Sequence, residues 1–215
     1  MNRMQHLRRT RLYLVRHGAT PYNLAHQIAG STDVELGDEG RADLARLREA
    51  LDAVPLDAVV ASPQRRAAET ARILVGGRGL PVVWTPELRE RDFGRWEGKS
   101  FQDIIDAQPD GGASIMRGPF VAKFDVAEAD EDFVPRVRRA IFERVIARFR
   151  DRDVLVVSHA GVLMMATAIL LGLDPATDFA TFRLDNGGVT RIDWYDGVPH
   201  VGYLNRLVSA SGGVL

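Results

Sequence analysis

A chain of 215 residues fits one domain and can bury a sizeable core. Its formal net charge of −1 gives no general reason to bind nucleic acid or an anionic membrane, and the lack of cysteine excludes disulfides, thiol nucleophiles and cysteine metal sites. The basic stretch Met1 to Arg11 is followed by too few apolar residues for a secretory signal, and the most apolar segment, Gly161 to Leu173, is shorter than the ~20 residues that span a bilayer. These features predict a cytoplasmic protein with residues 1–11 as a flexible lead.

In chain order, Leu12-Tyr13-Leu14-Val15 reads as a short strand buried on both faces. It stops at Arg16-His17-Gly18, where glycine permits a sharp turn close to a ligand, and Pro21 keeps the next residues out of a strand. A cation, an imidazole and free backbone N–H groups thus emerge at the carboxyl end of a strand, where open α/β sheets hold their ligands. Those groups suit an oxyanion, most simply phosphate. Leu44, Leu47, Leu51 and Val54 mark one face of a helix between Asp38 and Ala53. Leu56 to Ala61 reads as the next strand. Ser62-Pro63 reads as the N-cap and first-turn proline of a helix ending at the glycines 76, 77 and 79. Val82 to Trp84 is a third strand.

Residues 86–98 are irregular, and Ser100 with Asp103 caps a helix through about Ala107. The glycine-broken segment 109–130 reads as a lid-like insertion. Phe133, Val137, Ile141, Val145 and Phe149 describe a long amphipathic helix, with Arg136, Arg138, Arg139, Arg144 and Arg148 as its solvated face. Asp153 to Ser158 is the clearest buried strand; it delivers His159, and Ala160-Gly161 opens an apolar helix with Met164 and Met165 in its core. Turns at Asn186-Gly187 and Asp196-Gly197 separate strands expected at 181–185, 189–194 and 200–203. The alternation predicts a single-domain layered α/β fold with a mainly parallel central sheet flanked by helices.

Four stretches carry chemistry. The Arg16-His17-Gly18 loop is the first. In the second, Ser62 to Ala71, a helix start and an arginine fork suit phosphate oxygens. The third, Glu87 to Gly98, crowds acids and arginines in a loop that by itself reads as a solvated salt-bridge network. In the fourth, His159 repeats the strand-to-helix position of His17, 142 residues later.

Taken together these stretches resemble the histidine phosphatase superfamily, the phosphoglycerate mutase-like proteins. The matching motifs are Val-Arg-His-Gly-x-Thr-x-x-Asn (15–23), Ser-x-x-x-Arg-Ala-x-x-Thr-Ala (62–71), Leu-x-Glu-x-x-x-Gly-x-Trp-Glu-Gly (88–98) and Ser-His-Ala-Gly (158–161). The resemblance implies that fold, with His17 as nucleophile and Glu90 as general acid, Glu87, Asp92 and Glu97 being its competitors. Arg16, His17, Asn23, Arg66, His159 and Ala160 would surround the phosphate. Arg65, about 100° from Arg66 around a helix, would point elsewhere. Two departures stand out: Ala19 replaces the usual glutamate, and Val126 to Asp130 occupies the place of a Gly-Glu-Ser.

The chemistry follows from the residue types. Arg16, Arg66 and His159 disfavour protonation of His17, and the arginines carry the phosphoryl charge, so neither metal nor cofactor is needed. A carboxyl beside a phosphate dianion keeps its proton more readily, so Glu90 would hold one for the leaving alkoxide. The expected function is a phosphomonoesterase acting on a small phosphorylated metabolite, with no nucleic-acid or membrane partner; a homodimer is compatible with the sequence. The alternative within the family is a phosphoglycerate mutase, against which the 109–130 segment offers only Arg117 and Lys123 as cations. More remote are a metal-dependent hydrolase using His17, His159 and Asp92, and a non-catalytic phosphate-binding relative. Met116, Phe120 and Phe124 would suit an ester with an apolar or aromatic body, and Trp96 the mouth of the pocket. His6, His26 and His200 have no partner at a recognisable spacing.

Overall fold

The apolar run after Arg11 is the middle of a longer strand, β1 (Arg9–Arg16), in the computed structural model, which describes residues 8–107, 128–175, 178 and 181–208. Arg9 to Arg11, grouped with the lead on sequence grounds, therefore belong to the sheet. β2 (Ala58–Ala61), β3 (Val82–Trp84), β4 (Asp153–Ser158), β5 (Val189–Tyr195) and β6 (Val198–Arg206) complete it, in the order β3-β2-β4-β1-β5-β6. The pairs from β3 across to β1 are parallel, joined by helical crossovers; β5 runs antiparallel to β1 and to β6. The β5–β6 hairpin closes on Asp196-Gly197, both at positive φ (44° and 103°), as a two-residue turn requires.

Strand alternation explains the two cores. Leu12, Leu14, Val60, Val154 and Val156 face one side, against α5 (Asp130–Arg139) and α6 (Ala160–Leu170). Tyr13, Val15, Val59, Leu155 and Val157 face the other, against α2 (Asp38–Leu51) and α3 (Arg65–Val75). Because both faces are covered, the central strands read as continuous apolar runs rather than alternating ones. Every residue of α6 after Ala160 is buried, which is why it is apolar all round. Two short helices complete the set, α1 (Pro21–Leu24) and α4 (Phe101–Ala107), the latter capped by Ser100 and Asp103 as expected.

Local readings differ from the structure in five places. Pro21 is the first residue of α1 rather than part of a loop. A Cβ on Gly18 would meet the Leu44 side chain at 2.7 Å, so this glycine admits α2 against the loop. The helix after β2 begins at Arg65 with Gln64 as N-cap, not at Ser62. The long helix starts at Asp130 and widens to π-helical pitch over Ala140–Ile146. Residues 181–185 form no strand: the Leu184 carbonyl accepts from Arg16, and the Asp185 N–H donates to the Asn205 side chain. Of the insertion expected at 109–130, Met116, Arg117, Phe120, Lys123 and Phe124 lie outside the described residues. No helix among the described residues is long and apolar enough to cross a membrane.

Candidate active site

Sheet register builds the centre of the site. β1 and β4 pair in parallel with Arg16 opposite Ser158, and the His17 N–H donates to the Ser158 carbonyl at 2.9 Å. The next residues on both strands, His17 and His159, therefore meet, with ring centroids 5.1 Å apart and planes tilted by 60°. β2, on the far side of β4, ends one residue before Ser62, whose hydroxyl lies 2.8 Å from His159 Nε2. Three adjacent carboxyl ends thus supply His17, His159 and Ser62. The serine that the sequence marks as a helix cap serves a histidine instead.

His17 Nδ1 lies 2.8 Å from the Gly18 carbonyl, which can only accept. The proton of the neutral ring is therefore on Nδ1, and the Nε2 lone pair is free. Burial holds His17 well below the ordinary imidazole range, and the Arg66 and Arg16 guanidinia reinforce it. Burial does the same to His159, followed by Arg66, His17 and Arg16. Both rings are neutral near neutral pH.

The two arginines, Arg66 buried and Arg16 half-buried, are cations held by carbonyls. Arg16 Nη1 donates to Leu184 O at 2.7 Å, and Arg66 donates to Gly30 O and Thr32 O at 2.7 and 2.8 Å. Neutral partners leave the positive charge uncompensated at contact distance, and burial lowers the pKa of both groups. The Nε atoms of both, and His159 Nδ1, are buried with no hydrogen-bond partner among the described residues. Arg65 instead turns outward to Glu35, with its N–H on Asp33 at 2.7 Å.

A cleft of about 640 Å³ brings together Arg16, His17, Asn23, Arg66, Glu90 and Ala160. His159 is fully buried beside His17 rather than on the cleft lining. The Asn23 side-chain oxygen accepts from Thr20 N, Thr20 Oγ1 and Asn186 Nδ2, so its amide N–H groups are what it can offer a ligand. Glu90 Oε2 accepts from the Gly161 N–H at 3.0 Å, at the start of α6, and its own N–H donates to Gln64 Oε1 at 2.8 Å. The competing acids are occupied elsewhere. Glu87 pairs with Arg144, Asp92 accepts from Gly94 N, and Glu97 binds Ser31, Thr32 and Phe93 around the loop that receives Arg66.

Several residues were not legible as part of the site. Asn186 read as a turn residue, yet its amide also donates to the His17 carbonyl at 3.0 Å. Gln64 bridges Glu90 to the Gly30 carbonyl. His26 reaches the lining, and Phe93 rather than Trp96 does so from the acidic loop; Trp96 is buried beneath Arg95. Met164 belongs both to the core and to the cleft wall. Arg136 is not solvated: its side chain is 13% exposed and is spent on Glu128 and on two backbone carbonyls. Among the described residues no group of three or more His, Asp or Glu side chains converges to hold a metal ion.

The model of the histidine phosphatase superfamily (branch 1) matches residues 12–206. The chain belongs to the histidine phosphatase superfamily. It is 34% identical over 195 residues to the adenosylcobalamin/alpha-ribazole phosphatase of Salmonella typhimurium, covering 91% of this chain and 96% of that one. It is 31% identical over 195 residues to the glucosyl-3-phosphoglycerate phosphatase of Mycolicibacterium vanbaalenii, covering 87% and 84%. Bacillus stearothermophilus YhfR has a similar structure, with a TM-score of 0.83 at 32% identity over 93% of this chain and 98% of that one. As a histidine phosphatase of phosphoglycerate mutase-like fold, the chain is a phosphoric monoester hydrolase.

Proposed function

We propose that this histidine phosphatase hydrolyses a small phosphate ester through a phosphohistidine on His17, with Glu90 as general acid and then general base. The observation that carries the reading is the free Nε2 of a tautomer-fixed, neutral His17 on the same cleft as two uncompensated guanidinia and a carboxylate. The phosphoryl group sits against Arg16, Arg66, the Asn23 amide and the Ala160 N–H that opens α6. His159 donates Nδ1–H to it if Ser62 gives its own proton to Nε2, a direction that the Gln64 N–H on Ser62 Oγ at 3.4 Å supports.

His17 Nε2 attacks phosphorus and the bond to the ester oxygen breaks. Glu90 gives its proton to the departing alkoxide. Water then attacks the phosphohistidine, its proton passes to Glu90, the P–N bond breaks and phosphate leaves. The arginines hold the charge on the equatorial oxygens throughout. Ile28, Phe93, Met164 and Phe182 form an apolar wall beyond this centre and favour an ester with an apolar body. Hydrolysis rather than phosphoryl return to a sugar acid is favoured by the cation count. The described lining carries one further arginine, Arg183, an exposed side chain beside Asp185 at 3.1 Å, where a mutase would need adjacent arginines for a carboxylate and a second phosphate.

The test is the leaving group. General acid catalysis is typically worth ~10²–10⁴-fold, and nitrophenolate leaves without much need of it. Glu90→Gln should lose that much on an alkyl phosphate and far less on nitrophenyl phosphate in the first chemical step, with a burst of one nitrophenol per site. Equal losses without a burst would remove Glu90 from this role.

A further inference from the structure

Glu90 stands in an irregular loop between two single 3-10 turns, Pro86–Leu88 and Gly94–Trp96, with no strand ladder to fix its backbone. The loop is pinned instead by side chains. Arg136, on α5, donates Nη1 to both Glu87 O and Arg89 O, at 2.7 and 2.8 Å. Its Nε and Nη2 form a two-point pair with the Glu128 carboxylate, at 2.7 and 2.6 Å. The carbonyl between those two, Leu88 O, accepts from Ser158 Oγ at 2.7 Å. Three consecutive carbonyls before Glu90 are thus held by two side chains.

Glu128 closes the frame on the other side of Glu90. Its N–H donates to Asp92 O at 2.6 Å, and its carbonyl accepts from Arg91 Nε at 2.8 Å. Arg91 also pairs with Asp130 at 2.8 Å, and its guanidinium and that of Arg136 lie over the buried Phe133 ring at 5.3 and 5.1 Å. Two nearly buried arginines over one ring, one paired with Glu128 and the other with Asp130, are costly to desolvate, and a solvated loop would need neither. Arg136 is spent on the backbone before Glu90, and Arg91, the residue after it, is tied to Glu128 and Asp130.

We infer that Arg136, braced by Glu128, is a positioning residue that sets the Glu90 carboxylate against the leaving-group oxygen. The inference rests on the reading of Glu90 as general acid. Catalytic groups tolerate displacements of about 0.5 Å, and a misplacement of about 1 Å can cost 10²-fold. The frame acts through Glu90, so its loss should weaken the step that Glu90 serves and no other. In the stretch where Gly-Glu-Ser is absent, Glu128 is present and is spent on Arg136.

The experiment compares Arg136→Met, Glu90→Gln and the double variant on an alkyl phosphate and on nitrophenyl phosphate, following the first chemical step. Methionine keeps a stem over Phe133 and removes every donor. Arg136→Met should lose about 10²-fold on the alkyl phosphate, far less on nitrophenyl phosphate, and cost nothing further on the alkyl phosphate once Glu90 is glutamine. Equal losses on both substrates, additive losses with Glu90→Gln, or unchanged activity would overturn the positioning role while leaving Glu90 as the acid. A Glu90→Gln variant without leaving-group dependence would overturn both. If Arg136→Met melts below assay temperature, Glu128→Gln decides. It should show the same selectivity at smaller size, and wild-type behaviour there would overturn the inference.

Discussion

His17 and His159 stand one residue beyond the paired Arg16 and Ser158 of two adjacent parallel strands, and their rings meet at 5.1 Å between centroids. Two imidazoles in contact, beside the Arg16 and Arg66 guanidinia, cannot readily accept protons. This contact has consequences for stability as well as for catalysis.

Because burial and the arginines hold both histidines well below the ordinary imidazole range, the unfolded chain binds protons at these positions below about pH 6.5 and the folded chain does not. Unfolding therefore takes up protons, and stability falls as pH drops below about 6.5, by about 1.4 kcal/mol per pH unit for each histidine. Urea unfolding at stepped pH should show this slope. His17→Asn should reduce it by one proton, and NMR should find neither ring titrating near pH 6.5.

His17→Ala should abolish turnover while leaving the thermal melt cooperative, since the ring is held by one bond to its neighbour's carbonyl and not by the strand ladder. Acid quenching of wild-type enzyme during turnover of a labelled substrate destroys N-linked phosphate, so the quench should be alkaline. The label should remain on the wild-type protein and be absent from the variant. Turnover by the variant would exclude a covalent His17 intermediate.

Arg66→Ala should cost about 10²–10³-fold in kcat, the scale for losing one charge-stabilising donor. Arg65→Ala should stay near wild type, because Arg65 turns to Glu35 at the surface. The reverse ranking would mean that the guanidinium held at the Gly30 and Thr32 carbonyls is not the one that binds phosphate.

Vanadate mimics five-coordinate phosphorus and should bind in the cleft that Arg16, His17 and Arg66 line. At a hundredfold excess over its Kd it should stabilise the fold by about 2.7 kcal/mol, read as a rise in Tm. Arg66→Ala should lose most of that rise. Competitive inhibition should accompany it in the wild type.

Ser62→Ala tests the histidine tautomer. If the hydroxyl fixes Nδ1–H on His159, its removal should weaken phosphate and vanadate binding with little change in Tm, and Ser62→Thr should restore part of the loss. A Tm drop without weaker binding would make Ser62 a packing residue.

The sequence by itself determined the layered α/β fold and the residues gathered at the strand ends. Apolar runs buried on both faces are a local signal, and His17 and His159 each follow such a run directly. Helical geometry also indicated that Arg65 and Arg66 would not both reach one phosphate, and the family motif pointed to Arg66. What the sequence left undecided was every feature that depends on register or on contact between distant segments. The residues of the acidic loop alone did not separate Glu90 from Glu87, Asp92 and Glu97, because a loop rich in acids has no periodicity; the distant contacts of Glu90 with Gly161, Glu87 with Arg144 and Glu97 with Thr32 are made only by folding. Ser62 looked like a helix cap because capping is local chemistry, whereas its partner is 97 residues away. Arg136 looked solvated because a helix face is judged by its own spacing. Its fork is buried by Glu128 and by the carbonyls of Glu87 and Arg89, which only the tertiary structure brings beneath it.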